Sequence, residues 1–365
     1  MGSATSRVAG FRQGRRARRR AAVPRPDEPA ADQSACPRFP RRGADVRVAL
    51  STRPQAQFSN DSQMTHYYRV HELTIASELD LGLPEMPPSA AAPDVVIECA
   101  PVPAEPPPTS TRVAAFAAAG IGDFWLEVPT LARYRVLQGR QIIVDARPNA
   151  DPAGVRLFLL GSCFGAMLHQ RGTLVLHGCA VKVGDACLVV AGHTGAGKST
   201  VAAAFLQRGH PVLADDVVAV DAAGDALPGL PRIKLWKDAA DQLGIATERL
   251  QRIRPSMPKF DVPLGKRHWT SALPIRWVYI LATHPEPDYR IDVLAGRASF
   301  QPLYNETYRP RYVKPFGVLE SHMRRCSQLA AQAQVARIYR PAMTSRPAEL
   351  AQRLLDAIAV AGKSA

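Results

Sequence analysis

Hydrophobic positions alternate with polar ones in several short stretches between residues 64 and 150, and this spacing predicts β-strands. Proline-rich segments separate the earlier stretches, and Gly139 lies in a predicted hairpin turn between the last two. We therefore expect a small β-rich module over residues 64–150, without a catalytic constellation of its own. The predicted strands are Tyr67–Ile75, Asp94–Cys99, Phe124–Val128, Ala132–Leu137 and Gln141–Val144.

The pattern changes after residue 150 to an alternation of helical and extended segments. Apolar residues recur at helical spacing from Asp151 to Arg171, and Gly172 stands where such a helix would stop. The alternation predicts an α/β domain over residues 151–365. Its predicted strands are Thr173–Val183, Ala186–Ala191, Pro211–Ala214, Val217–Asp221 and Trp277–Thr283, and its later helices are Ser199–Arg208, Ser321–Val335 and Pro347–Val360.

More than half of the formal net charge of +14 lies in the N-terminal segment. Residues 1–63 carry 13 Arg and 5 acidic residues, a net of +8, in a sequence rich in Pro and Ala without hydrophobic periodicity. Such a segment is expected to be a disordered basic tail. Translation from Met64 instead of Met1 would remove the tail, and both starts stay open. We therefore expect no nucleic-acid partner, although a basic arm on RNA, DNA or acidic lipid stays a minor alternative.

The lengths of the apolar runs and the spacing of the cysteines indicate where in the cell the protein is located. No run reaches the ~18–20 apolar residues of a membrane-spanning helix, so no transmembrane segment and no membrane partner is expected. The six cysteines form no CxxC pair, which argues against a zinc site and a disulfide framework. A reducing, cytoplasmic location is the expectation.

The strongest chemical signal is the segment from Gly192 to Ser199, which matches G-x-x-x-x-G-K-[ST] completely. It follows a predicted strand and opens a predicted helix, which is the context of a phosphate-binding loop. Lys198 is expected to reach the β- and γ-phosphates and the Ser199 hydroxyl to bind Mg²⁺. The expected ligand is ATP with Mg²⁺, and GTP stays open. The predicted nucleotide contacts are Gly192, Thr194, Gly195, Ala196, Gly197, Lys198, Ser199 and Thr200.

Two adjacent carboxylates, Asp215 and Asp216, follow the next short strand. Side chains of neighbouring strand residues diverge, so one carboxylate can hold the metal and the other can accept a proton from an attacking hydroxyl. His177 stands on the predicted strand pair that leads into the phosphate loop. These three residues are candidates for the same site.

The order of these features resembles the catalytic domain of HPr kinase/phosphorylase. The resembling block runs from Leu176-His177-Gly178 through the phosphate loop and Arg208-Gly209-His210 to Asp215-Asp216. The resemblance implies a phosphoenolpyruvate-carboxykinase-like nucleotide domain, a serine kinase activity and a homo-oligomer as a plausible assembly. It also implies Asp215 as the base, Asp216 with Ser199 at the metal, and His177 in the same site. Similar sequences carry a basic segment where this chain has Arg232 and Lys234, and Lys266 and Arg267 are further candidates for phosphate or substrate contacts.

This chain departs from the resembling enzyme in two ways. Thr200 stands where that enzyme usually has Glu, and no counterpart of its downstream Gly-rich segment is found, so the resemblance does not extend to HPr as substrate and leaves a reverse phosphorylase activity open. A β-rich front before such a kinase domain looks like the kinases that modify ribosomally made peptides, including lasso peptides. The leading hypothesis is therefore a serine kinase that acts on a peptide or small protein. The alternatives are a small-molecule kinase of carboxykinase-like fold and a non-catalytic nucleotide-binding regulator.

Overall fold

The structure is a computed structural model, and it describes residues 65–254, 257–342 and 346–361. The basic tail predicted over residues 1–63 and the choice between Met1 and Met64 lie outside the described residues.

The first part of the described chain forms one eight-stranded sheet in the order β1-β2-β3-β8-β7-β6-β5-β4. Neighbouring strands are antiparallel, except that β3 is parallel to both β2 and β8. The strands are β1 (His66–Val70), β2 (Leu73–Ser77), β3 (Val95–Cys99), β4 (Thr111–Ala114), β5 (Ala117–Gly120), β6 (Asp123–Val128), β7 (Ala132–Leu137) and β8 (Gln141–Ala146).

Two features of this sheet differ from the prediction. The strand predicted over Tyr67–Ile75 is a hairpin, because His71 and Glu72 adopt φ angles of 54° and 62° and turn the chain between β1 and β2. Strands β4 and β5 were not predicted. The sequence of β5 is Ala-Ala-Ala-Gly, which lacks the β-branched and aromatic residues that mark strands.

A continuous helical segment follows the first sheet, as predicted. It consists of α1 (Pro152–Phe158), a π-helical turn (Leu159–Cys163) and α2 (Phe164–Gln170). Asp151 caps it by accepting hydrogen bonds from the backbone N–H groups of Ala153 and Gly154. By length and composition alone, this 19-residue segment with a mean hydropathy of 1.2 could cross a membrane. However, 72% of its most apolar window is buried inside the protein, as in a core helix.

The remaining elements alternate between strands and helices. In chain order they are β9 (Leu174–Leu176), β10 (Gly178–Val183), β11 (Ala186–Gly192), α3 (Lys198–Gln207), β12 (Val212–Asp215), β13 (Val218–Val220), β14 (Asp225–Ala226), β15 (Arg232–Trp236), α4 (Lys237–Gln242), β16 (Arg252–Arg254), β17 (Met257–Pro263), β18 (Leu273–His284), β19 (Arg290–Leu294), α5 (Arg297–Asn305), α6 (Leu319–Gln332), β20 (Gln334–Pro341) and α7 (Pro347–Ala361).

These strands form two more sheets. One has the order β12-β10-β11-β18-β14-β13-β9, with β20 beside β18 and β19 beside β20. The other is a small antiparallel sheet in the order β15-β17-β16. The described chain is therefore a mixed α/β protein with several sheets, as the sequence predicts. The carboxykinase-like detail and the domain boundary at residue 150 stay predictions.

Two predicted elements need correction. The strand predicted over Thr173–Val183 is interrupted at His177, so β9 and β10 are separate strands with different partners. The helix predicted over Ser321–Val335 ends at Gln332, and Gln334 already begins β20. Strand β20 pairs in parallel with β18 in the sheet interior, and helical periodicity masked its start.

Antiparallel pairing around β10 creates the edge on which the site stands. Gly178 lies opposite Ala191 near the end of β11, and Cys179 lies opposite Asp215 at the end of β12. The start of β10 therefore meets the ends of both neighbours. Residues that are far apart in sequence come together at this edge, namely His177, the loop after β11, and the Asp215–Asp216 pair.

Candidate active site

The loop between β11 and α3 has the backbone that phosphate binding requires. Gly192, Gly195 and Gly197 adopt φ angles of 140°, 83° and 97°, which residues other than glycine rarely adopt. At Gly192 a Cβ atom would also come within 2.8 Å of the carbonyl oxygen of Leu281. The loop then enters the ten-residue helix α3, whose N-terminal N–H groups attract anions.

Lys198 closes this loop on itself. Its Nζ donates hydrogen bonds to the carbonyl oxygens of Gly192, at 2.8 Å, and His193, at 3.0 Å. Lys198 is 8% exposed, and burial lowers the pKa of its ammonium. Because burial disfavours its charge, a buried ammonium gains from a nearby anion, so Lys198 is well placed to contact a phosphate.

Ser199 and Asp215 form the second part of the site. The Ser199 hydroxyl donates to Asp215 Oδ1 at 2.8 Å, and Asp215 Oδ2 accepts from the backbone N–H of Lys234 at 2.9 Å. Asp215 is buried, and this burial raises the pKa of its carboxyl group. A hydroxyl and a carboxylate in contact beside a phosphate loop are the oxygen ligands that Mg²⁺ takes together with phosphate oxygens and water.

Asp216 has different partners from Asp215. Its Oδ2 pairs with the Nζ of Lys234 at 3.0 Å, and its Oδ1 lies 3.4 Å from Nδ1 of His177. Nδ1 of His177 also lies 3.1 Å from the backbone carbonyl oxygen of Asp216. Burial opposes ionisation of Asp216, but the charge and hydrogen bond of Lys234, together with the charge that His177 carries when its ring is protonated, outweigh it and lower the pKa of Asp216 to about 2.

Two further properties of this cluster indicate a functional role. Asp216 adopts a φ of 75°, a left-handed conformation that costs energy in residues other than glycine. Burial lowers the pKa of His177, which favours its neutral imidazole. The cluster therefore combines an ionised carboxylate with a neutral imidazole that can hold or accept a proton.

One cavity of about 820 Å³ joins these groups. The predicted residues that line it are His177, Thr194, Gly195, Gly197, Lys198, Ser199, Thr200, Asp215, Asp216 and Lys234. Gly192 and Ala196 lie behind this surface, where the carbonyl oxygen of Ala196 accepts from Nε of Arg340 at 3.2 Å. The volume is sufficient for a nucleotide and part of an acceptor.

Three of the four basic residues predicted to contact phosphate or substrate do not line the described part of the cavity. Arg232 pairs with Asp261 at 3.0 Å and lines a separate small cavity. Lys266 and Arg267 belong to an exposed 3₁₀ turn, Gly265–Arg267, and do not line the described part of the cavity. Of the four basic candidates, only Lys234 reaches the site.

Sequence reasoning missed the wall that faces the phosphate loop. This wall contains Trp236, Lys259 and the segment from Thr307 to Arg311. Backbone hydrogen bonds attach the segment to the edge of the sheet: His177 N–H donates to the Glu306 carbonyl at 2.7 Å, and Tyr308 N–H donates to the Val175 carbonyl at 2.8 Å. The sequence offers only an Arg-Pro-Arg run here, which matches no motif.

Comparison with known protein families gives a match in the region that contains the site. Residues 170–264 match the family model of the HPr Serine kinase C-terminal domain. Among solved structures, the Hpr(Ser) kinase/phosphatase from Coxiella burnetii is similar at 11% identity and a TM-score of 0.26, over 52% of this chain and 98% of that chain. So distant a likeness says nothing about activity. Among curated proteins, no sequence matches this chain. The resemblance to the HPr-kinase-like family that the sequence predicts is thus confirmed, and the family model locates it in residues 170–264, which contain the phosphate loop, His177 and both aspartates.

Proposed function

We propose that this chain is a kinase that transfers the γ-phosphoryl group of ATP to a serine hydroxyl on a peptide or small protein. The observation that carries the proposal is the position of Asp216. It is an ionised carboxylate held by His177 and Lys234, in the same cavity as the Ser199–Asp215 pair and Lys198. A protein that only binds nucleotide has no need of a second, separately held carboxylate there.

Ser199 and Asp215 are the residues that would hold Mg²⁺. Their oxygens already lie 2.8 Å apart, and both are hard ligands of the kind that Mg²⁺ prefers. No group of three or more His, Cys, Asp or Glu in the described chain could hold a metal ion by itself. This composition fits an ion that takes most of its ligands from phosphates and water. The bound ion would neutralise charge on the phosphates.

The proposed transfer uses the chain's own groups as follows. The serine oxygen attacks the γ-phosphorus, the bond between that phosphorus and the β–γ bridging oxygen breaks, and ADP leaves. The hydroxyl proton passes to Asp216. Lys198 and the N–H groups of the loop stabilise the charge that moves onto the bridging oxygen. Because the transition state is loose, Asp216 has to orient the hydroxyl more than deprotonate it beforehand, so a low pKa does not disqualify it.

This assignment exchanges the two aspartates relative to the sequence-based expectation, which gave the base role to Asp215 and the metal to Asp216. The contacts favour the exchange, because Asp215 is hydrogen-bonded to the predicted metal ligand Ser199. Asp216 instead contacts His177 and faces the wall that sequence reasoning missed.

The confirmed resemblance supports the wider proposal. Family members named HPr serine kinases phosphorylate serine on a protein, and a similar acceptor class is the simplest assignment here. Four parts of the proposal rest on analogy and stay proposals. They are the lasso-type precursor peptide, the cytoplasmic location, the homo-oligomer and the carboxykinase-like fold.

The test is transfer of label from ATP carrying a marked γ-phosphate. The protein is incubated with Mg²⁺ and synthetic peptides that contain a single serine, and products are analysed by mass spectrometry. We expect phosphoserine in the peptide. A matched set in which alanine replaces serine should remain unlabelled. Label that appears only on a small metabolite would instead support the small-molecule kinase, and binding without any transfer would support the regulator.

A further inference from the structure

The side of the cavity that faces the phosphate loop is positively charged. Lys259 on β17 is half-buried there, and Arg309 and Arg311 are exposed at the mouth. The described lining contains three aspartates and twice as many basic side chains, namely Lys198, Lys234, Lys259, Arg309, Arg311 and Arg340. The cavity therefore has more positive charge than its own carboxylates neutralise.

Half of these cations already have a role on the nucleotide side. Lys198 binds the loop, Lys234 neutralises Asp216, and Arg340 donates from Nε to the Ala196 carbonyl. The other half, Lys259, Arg309 and Arg311, form what we call the acceptor rim. Within the described residues, no carboxylate lies within 4.0 Å of a charged nitrogen of the rim. Its positive charges are therefore available to a ligand.

Aromatic and backbone contacts hold the rim in place without neutralising it. Lys259 Nζ lies 5.6 Å from the ring centre of Trp236, and the Arg309 guanidinium lies 5.4 Å from that of Tyr308. Nη1 of Arg311 donates to the Val113 carbonyl at 3.1 Å. Cation–π contacts orient a charge but leave it intact. The rim is therefore preorganised for an anionic ligand.

Lys259, Arg309 and Arg311 line the same cavity as Asp216, the residue proposed to accept the proton of the acceptor hydroxyl. The charges of Lys259 and Arg309 both act on Asp216, and the Tyr308 ring lies 5.8 Å from that of His177. Arg309 is held at a φ of 49°, a left-handed conformation that is costly for arginine. Residues held in such strained conformations cluster at active sites and ligand-binding sites.

We propose that the acceptor is an acidic peptide segment, in which Asp or Glu residues flank the serine that is phosphorylated. This inference rests on the proposed function and adds the charge of the substrate to it. Trp236, which is 43% exposed, and the neighbouring Met257 supply an apolar surface beside the rim for a peptide side chain. Acidic neighbours of the serine would pair with the rim while the serine reaches Asp216.

The test compares three synthetic peptides of equal length with one serine flanked by Glu, Gln or Lys. We expect kcat/KM to fall in that order, by about fivefold for each exposed ion pair that the peptide no longer forms with the rim. The preference for the Glu peptide should weaken as salt is raised. Equal rates for the three peptides would overturn the inference and leave the kinase proposal intact. Absence of phosphoserine in all three would contradict the proposed function itself.

Charge reversal gives the sharper test. The double variant Lys259→Glu/Arg311→Glu should prefer the Lys peptide and lose about tenfold or more on the Glu peptide, because two attractions become repulsions. Arg276→Glu, an exposed reversal outside the described cavity lining, is the matched control and should keep the order of the wild type. A double variant that binds a fluorescent ATP analogue normally and still prefers the Glu peptide would overturn the inference.

Discussion

The phosphate loop and the wall that faces it are built in different ways. The loop is a run of consecutive residues between one strand and one helix, and its lysine, Lys198, binds carbonyl oxygens within the same loop. The facing wall takes Trp236 from the end of β15, Lys259 from β17 and Arg309 from the segment that follows α5. Because the loop is built from consecutive residues, phosphate binding depends mainly on local backbone geometry. The acceptor side depends instead on the tertiary packing of separate segments. Variants of the two regions should therefore separate nucleotide binding from acceptor recognition.

Removal of the loop lysine should have the largest effect. Lys198→Met is expected to lower kcat/KM by at least about 10³-fold, because it removes the charge that stabilises the transferring phosphoryl group. Nucleotide affinity, measured by calorimetry, should fall as well. Lys237→Met, which removes an exposed partner of Asp241 outside the described cavity lining, is the control. If Lys198→Met kept wild-type affinity and rate, the loop would not be the phosphate site.

Amide substitutions of the two aspartates should have large but different effects. Asp216→Asn is expected to lower kcat by about 10²- to 10⁴-fold, the usual contribution of a general base, while nucleotide binding stays near normal. Asp215→Asn should raise the Mg²⁺ concentration needed for half-maximal rate. Rate measured against Mg²⁺ distinguishes the two. The opposite pattern would restore the assignment that the sequence suggested.

The same two substitutions should affect the stability of the fold differently. The pKa of Asp216 is lowered to about 2, so its ionised form stabilises the fold above the unfolded pKa near 4, and this stability is lost as pH falls toward 2. Asp216→Asn should cost roughly 1–2 kcal/mol at pH 7. Burial raises the pKa of Asp215, so its ionisation opposes folding at neutral pH, and Asp215→Asn should unfold at an equal or higher denaturant concentration than the wild type. Urea melts at pH 7 and pH 4 would show the difference, and equal losses for both variants would contradict it.

A small effect is expected where the facing wall is attached to the core. Thr307 donates to the Tyr304 carbonyl at 2.6 Å, and its hydroxyl oxygen lies 2.9 Å from Nε2 of the buried His322. Thr307→Val should cost about 1–2 kcal/mol of stability, the usual result of leaving a buried partner unpaired. We expect the KM for the peptide to rise a few-fold and the nucleotide affinity to stay unchanged. A fall in nucleotide affinity of the same size would show that the two walls are coupled.

The difference between the walls also explains what the sequence could and could not predict. The phosphate loop, the following helix and the Asp215–Asp216 pair are continuous in sequence, and the structure brings them together with His177. The rim residues match no motif, and long-range backbone pairing brings them to the site: β15 pairs with β17 at Lys259, and the segment before Arg309 is hydrogen-bonded to Val175 and His177. Arg232, Lys266 and Arg267 look equally basic in the sequence, yet the fold turns them away from the cavity. Long-range pairing was the missing information.

The secondary structure also divides into elements that a local pattern predicted and elements that it missed. Long periodic segments such as the helix from Pro152 to Gln170 were predicted within one or two residues. The hairpin at His71–Glu72 was missed because neither residue is a glycine, although both adopt positive φ. Strand β20 was missed because its first residues continue the apolar spacing of the preceding helix, and its partners β18 and β19 come earlier in the chain, where no local pattern shows the pairing.

The most direct measurement of the central claim follows the atoms of the γ-phosphoryl group. ATP carrying heavy oxygen at the non-bridging γ-positions is mixed with Mg²⁺, the protein and the Glu-flanked serine peptide, and the products are resolved by mass spectrometry. We expect the wild type to give phosphoserine that retains every heavy oxygen and is joined through the unlabelled serine oxygen, and Asp216→Asn to give only a trace of it. Heavy phosphate released into solution with no phosphopeptide would contradict it, because water and not a serine hydroxyl would then be the acceptor.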